Sequence, residues 1–254
     1  MSWKGMFFGS CIGSLFGGPI GALVGAVLGH QIEKHLSRGG KYAAMPNRQR
    51  SMVFCASAAA MLAKMAKADG RVSRGEIAAV EAAFRRLGFR AMARDYAINV
   101  FRRAKDDDRS IFEYAAEFAR VVESVEVREL FYEILWDIAG ADGSISSGEL
   151  LILQRIPRAL NIRIDWYGYF YNARFHGGQR REPMDELAEA YRTLGASASD
   201  SPEELKRKYR ELAKKNHPDA LRAQGLPEEM VGKATERMGR INSAWATVKE
   251  ARGL

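Results

Sequence analysis

Residues 5–32, "GMFFGSCIGSLFGGPIGALVGAVLGHQI", carry no charged side chain in a chain that is 28% charged. Gly5, Gly9, Gly13, Gly17, Gly21, Gly25 and Gly29 recur at every fourth position. A run of this length has three plausible fates: a membrane span, a cleaved leader or a buried core helix. As a helix rising about 1.5 Å per residue it exceeds the roughly 30 Å of a bilayer core. It is too long for the apolar part of an ordinary leader, and it lacks a clean A-x-A cleavage site. Pro19 would kink such a helix, which membrane spans tolerate where neighbours satisfy the freed backbone groups. The glycines form a flat stripe on which two helices can approach closely. This glycine-zipper pattern leaves two readings open: packing through Gly9, Gly13, Gly17, Gly21 and Gly25 with a homodimer formed through the span, or a weakly helical anchor in which the glycines give only flexibility.

The rest of the chain can bury ordinary cores, because 47% of all residues are hydrophobic. A formal charge of +8 admits nucleic acid, anionic lipid or an acidic protein as partner and does not choose among them. Cys11 and Cys55 form no CxxC and no Cys/His cluster, which argues against a structural zinc site and against a disulfide framework.

Two stretches read as linkers. Residues 33–50 are basic and polar with a Gly pair and a Pro, and residues 175–183, "FHGGQRREP", combine Gly-Gly, charge and Pro. They bound a region, 51–174, in which nearly everything has helical spacing and no strand alternation. The spacing predicts helices near 51–68, 74–87, 89–105, 110–124, 126–140, 147–159 and 164–173. Expected core faces are Met61, Met65 and Ala68; Phe112, Ala115, Ala116, Ala119 and Val122; and Phe131, Ile134, Leu135 and Ile138. The aromatic-rich "WYGYFYNARF", 166–175, reads as packing rather than as a stacking platform for bases, and no nucleic-acid partner is expected.

The middle region repeats itself. "KADGRVSRGEI" (67–77) matches "GADGSISSGEL" (140–150). Gly70 and Gly143 can end a helix, and Ser73 and Ser146 then stand three residues before Glu76 and Glu149, the spacing of a capping box. The same residues resemble the second half of an EF-hand loop, but Met65, Lys67, Ile138 and Gly140 fall where oxygen ligands are needed, so a conventional EF-hand is excluded. A looser carboxylate site between the two turns stays open beside the capping reading. The paired turns within an all-helical stretch of about 120 residues resemble the TerB-like family. That resemblance implies a helical bundle and a divalent-cation role for Asp69, Glu76, Asp142 and Glu149.

Residues 184–254 hold the most specific pattern. "MDELAEAYRTLG" places Leu187, Tyr191 and Leu194 on one face. "SPEELKRKYRELAKKN" begins with Ser201 as N-cap, Pro202 at the first helical position and Glu204 closing a capping box. Leu205, Tyr209 and Leu212 form its apolar stripe, and Lys206, Arg207, Lys208, Arg210, Lys214 and Lys215 cover much of the remainder. "HPD" follows at 217–219. Pro218 biases His217 away from helix, so the helix should end near Asn216 with Asp219 as an exposed anion at the tip. A last helix is expected from about Pro227 to Lys249, with Met230, Ala234, Met238, Ile241, Trp245 and Val248 facing inward.

The Y-x-x-LG helix end, the basic helix closing in HPD and the "INSAWATV" segment together resemble a J domain. The resemblance implies a helical hairpin that docks on a DnaK-type ATPase chaperone and stimulates its ATP hydrolysis. His217, Pro218 and Asp219 would be the coupling residues, and Lys206, Arg207, Arg210 and Lys214 the cationic steering surface. The long loop "ALRAQGLPEEM" resembles the membrane-anchored DjlA branch, in which a span, a TerB-like region and a terminal J domain follow one another. No catalytic residue is expected: no nucleophile is evident, and His30, His35 and His176 lie at segment edges or in linkers.

The J-domain resemblance also bears on the glycine run. A partner that needs ATP places 184–254 in the cytoplasm, which a cleaved leader would not. Only Lys4 precedes the run, whereas Lys34, Arg38, Lys41, Arg48 and Arg50 follow it, so the positive-inside rule agrees. The expectation is an all-α, single-pass protein of the bacterial inner membrane: a span at 1–32, a basic linker at 33–50, a TerB-like bundle at 51–174, a linker at 175–183 and a J domain at 184–254. The contrasting expectation is a metal-responsive envelope-stress scaffold that works through its TerB-like domain.

Overall fold

The computed structural model describes residues 46–68, 91–140, 145–163 and 183–254. These residues form helices and connecting turns, with no strand among them. The glycine-rich run, its Gly9, Gly13, Gly17, Gly21 and Gly25, the expected helices 74–87 and 164–173 and the aromatic stretch 166–175 lie outside the described residues. Among the described residues no helix is long and apolar enough to cross a membrane. The chain divides into two compact units, Met1–Arg163 with Gln224–Met230, and Ile164–Ala223 with Val231–Leu254.

The first unit is built around α1 (Asn47–Ala68). Every residue from Val53 to Met65 is buried, so this helix is enclosed on all sides. Ala56, Ala58, Ala59, Ala60 and Ala63 let neighbours approach its backbone closely. Those neighbours are α2 (Ala91–Asp106), α3 (Ile111–Val121), α4 (Val125–Ala139) and α5 (Ser147–Ala159). Phe54 of α1 meets Phe118 of α3 and Phe131 of α4 edge-on, with ring centroids 5.5 and 5.0 Å away. Such contacts contribute about 0.5–1.5 kcal/mol beyond the burial of area.

Several polar groups inside this unit are tied to backbone carbonyls, most of them ones that the helices leave without a partner. The Ser57 hydroxyl donates to the Val53 carbonyl at 2.8 Å. Pro157 lies inside α5 and has no N–H for the Leu153 carbonyl one turn earlier. The buried Tyr132 hydroxyl of α4 donates to that carbonyl instead, at 3.0 Å. The Arg128 guanidinium, also buried, donates to the Leu160 carbonyl at the end of α5, at 2.9 Å. Lys64 reaches the Asp107 carbonyl; burial lowers its ammonium pKa, and the Asp107 charge opposes that shift.

The face that α3 turns inward differs from the expected one. Ile111, Tyr114, Ala115, Phe118 and the following Val122 are buried, whereas Ala116 is exposed and Phe112 and Ala119 are half-buried. Alanine is apolar enough to enter a periodicity count yet loses little when left in water, so the large Tyr114 and Phe118 decide the orientation. Phe112 instead lies under the Arg155 guanidinium, 5.4 Å from its ring centroid.

The second unit packs α6 (Pro183–Thr193) and α7 (Pro202–Asn216) against the long α9 (Val231–Arg252). Its core holds Ala190, Tyr191, Leu194, Leu205, Ile241, Ala244 and Val248, with Leu187, Tyr209, Leu212 and Trp245 packed at its edge. α6 ends where Gly195 takes φ +58°, and the Ala196 N–H returns to the Tyr191 carbonyl at 2.8 Å. That return needs a left-handed residue, which glycine adopts without strain. On α9 the buried face is Ala234, Arg237, Ile241, Ala244 and Val248, so Met238 and Trp245 flank it instead of lying on it. α9 begins at Val231 after a 3-10 turn, Glu228–Met230, a little later than the expected Pro227.

Candidate functional site: the His-Pro-Asp corner

α7 starts as its residues dictate. Ser201 caps it, the Ser201 side chain accepts from the Glu204 N–H at 3.2 Å, and a Glu204 oxygen accepts from the Ser201 N–H at 2.9 Å. That backbone N–H holds the Glu204 carboxyl below its usual pKa. The helix then runs to Asn216 with only Leu205 and Asn216 buried. Lys206, Arg207, Arg210 and Lys214 are exposed. Lys206, Arg210 and Lys214 stand four residues apart, forming one cationic row, whereas Arg207 pairs with Glu211 at 3.0 Å. Lys208 is different: it turns to Asp200 in the preceding loop, at 2.5 Å.

The loop before α7 is fastened from two helices. The Asp200 carboxylate accepts from Lys208 and from the Ser197 N–H at 2.9 Å, and these bonds, the Lys208 one foremost, hold its pKa below the usual value. From the end of α9, Arg252 donates to the Tyr191 hydroxyl and to the carbonyls of Ala198 and Asp200, at 3.2, 2.9 and 3.2 Å. Along α7, the Tyr209 ring stacks on Trp245 of α9 with centroids 4.9 Å apart and planes 8° apart. Its hydroxyl donates to Asn242 Oδ1 at 3.2 Å. These contacts fix how α7 presents its cations.

The corner itself is a helix-to-helix break. His217 adopts φ −61° and ψ 134°, which stops α7. Pro218 then opens a short helix, α8 (Pro218–Ala223), where sequence reasoning expected only loop. Its preset φ suits a first helical position, and the Leu221 N–H bonds to the His217 carbonyl at 3.0 Å. Leu221 is buried and anchors α8. Beneath the break, Asn216 is buried and donates to the Leu212 carbonyl at 2.9 Å.

The two polar members of the corner face solvent, with side-chain exposures of 55% for His217 and 73% for Asp219. His217 Nδ1 accepts the Asp219 N–H at 3.3 Å, which leaves the proton of a neutral imidazole on Nε2. Asp219 Oδ1 accepts from Arg222 Nη1 at 2.6 Å. Arg222, Asn216 and Arg252 were not anticipated. Arg222 could have been found from its i,i+3 spacing to Asp219 had 218–223 been read as helix. The reach of Arg252 spans more than fifty residues and has no local signal.

In the first unit, Glu149 is engaged at the start of α5. Its Oε2 accepts from the Ser146 N–H at 3.0 Å and from the Ser146 hydroxyl at 3.1 Å, and Ser146 Oγ accepts from the Glu149 N–H at 3.2 Å. This is the expected capping box. Asp69, Glu76 and Asp142 lie outside the described residues. Among the described residues no group of three or more His, Cys, Asp or Glu side chains could hold a metal ion.

Three family profiles match the chain: the transmembrane domain of the co-chaperone DjlA over residues 1–48, the tellurite resistance protein TerB over 56–166 and the DnaJ domain over 189–252. The co-chaperone protein DjlA of Vibrio vulnificus strain CMCP6 is 33% identical, with 89% of this chain and 90% of the relative covered. The DjlA protein of Shewanella oneidensis is also 33% identical, over the whole of both chains. That of Escherichia coli K12 is 30% identical, with 89% of each chain covered. No solved structure matches. A basic helix closing in His-Pro-Asp, the DnaJ and TerB matches and this end-to-end likeness lead to one conclusion: the chain belongs to the DjlA family of DnaJ-type co-chaperones.

Proposed function

We infer that the protein is a single-pass anchor of the bacterial inner membrane whose cytoplasmic J domain binds a DnaK-type ATPase chaperone and stimulates its ATP hydrolysis. The observation that carries this reading is the corner: His217 and Asp219 stand exposed where the cationic α7 ends, on a turn stiffened by Pro218. In this reading His217, Pro218 and Asp219 couple docking to hydrolysis. Lys206, Arg207, Arg210 and Lys214 attract an acidic face of the chaperone and speed its encounter. The family's span and the positive charges that follow residues 5–32 support the membrane placement.

The test is the steady-state ATPase rate of a DnaK-type chaperone with the full chain in detergent micelles, wild type against His217→Gln. Stimulation is expected from the wild type. The variant should lose at least about tenfold of it, a difference of roughly 1.4 kcal/mol, with its thermal unfolding unchanged. A wild-type chain that leaves the rate at its basal value would refute the reading.

A further inference from the structure

The anion at the tip of the corner already has a counter-ion within its own chain. Arg222 Nη1 lies 2.6 Å from Asp219 Oδ1. A docking protein that engages the Asp219 anion therefore meets a carboxylate already paired with Arg222. The arginine is 39% exposed and sits one turn along α8, so a change of rotamer frees the carboxylate. The neighbouring Leu221 is buried and holds α8 in place meanwhile. Arg222 thus differs from Lys206, Arg210 and Lys214, which make no ion pair among the described residues. Those three offer unpaired positive charge to an acidic partner, whereas Arg222 occupies the Asp219 carboxylate.

We propose that Arg222 is an intramolecular competitor for the Asp219 carboxylate, displaced when the partner docks, and that it sets the affinity of the J domain below what the corner alone would give. The proposal rests on the co-chaperone reading. An exposed ion pair of this kind shifts an equilibrium by about two- to fivefold.

The experiment compares wild type, Arg222→Ala, Arg222→Gln and Lys206→Ala, each as the full chain in detergent micelles. It reads the concentration that half-maximally stimulates a DnaK-type ATPase chaperone, together with association and dissociation rates. Both Arg222 variants are expected to lower the half-maximal concentration by about two- to fivefold. Lys206→Ala, which removes the same unit of charge from the steering row, is expected to raise it. Damage to the fold cannot produce a gain in affinity, so the opposite signs separate competition from a structural role. If the wild type stimulates and His217→Gln does not, yet neither Arg222 variant binds more tightly, the proposal falls and the co-chaperone reading stands. If the wild type fails to stimulate, both fall.

Discussion

α1 and α7 are both amply helical, yet they use their surfaces in opposite ways. α1 is enclosed from Val53 to Met65, and four helices pack on it. α7 buries only Leu205 and Asn216 of its 15 residues and leaves most of its cations in water. The first is a scaffold whose stability comes from close packing of small and aromatic side chains. The second is held by its ends and one thin stripe: a capping box, the Lys208–Asp200 pair and the Tyr209–Trp245 stack. A helix held that way keeps its outer face free for charges selected by a partner, which an enclosed helix cannot do.

Mutation can break this contrast. The largest effect is expected at the centre of α1. Phe54→Ala removes a wholly buried ring that touches Phe118 and Phe131, and should cost about 3–5 kcal/mol in denaturant unfolding. A loss below about 1 kcal/mol would mean that α1 is not the core of its unit. On α7, no single exposed side chain should matter so much. Ser201→Ala deletes the cap and should cost about 1 kcal/mol, since the Glu204 N–H loses its acceptor while the backbone N–H at 201 keeps the Glu204 carboxylate and no cavity forms. A cost equal to that of Phe54→Ala would erase the distinction drawn between the two helices.

The smallest effect is one of pH. The Lys208 bond and the Ser197 N–H hold the Asp200 carboxyl below its ordinary value of 3.8. The unfolded chain therefore takes up this proton first as pH falls. The stabilisation is present above the unfolded value and is lost as pH drops through the folded one. Glu204 shifts the same way through its cap. Thermal unfolding followed between about pH 5 and about pH 2 should show a shallower acid decline in Asp200→Asn than in the wild type. Equal slopes would mean that the loop before α7 draws nothing from its fastening at Asp200.

Much of the fold was legible because it is local. A capping box needs a Ser and a Glu three residues apart, and Ser146–Glu149 and Ser201–Glu204 both form as the spacing predicts. Ser110–Glu113 forms a third that the helix boundaries alone did not single out. The stop of α7 at Asn216 follows from Pro218, a constraint that acts on the residue before it. That Pro218 also starts α8 was missed, because the same ring that ends one helix suits the first position of another.

By itself, then, the sequence determined the described helices other than α8, the caps at Ser146 and Ser201, the rigid corner and the cationic row, because each depends on residues within about one turn of each other. Tertiary packing decided what spacing cannot encode. It chose the face of α3 by the bulk of Tyr114 and Phe118, gave the carbonyl orphaned by Pro157 to Tyr132, and brought Arg252 back to the loop before α7. The reason is physical: an apolar alanine or an orphaned carbonyl has many acceptable partners, and only the closure of the whole core selects one.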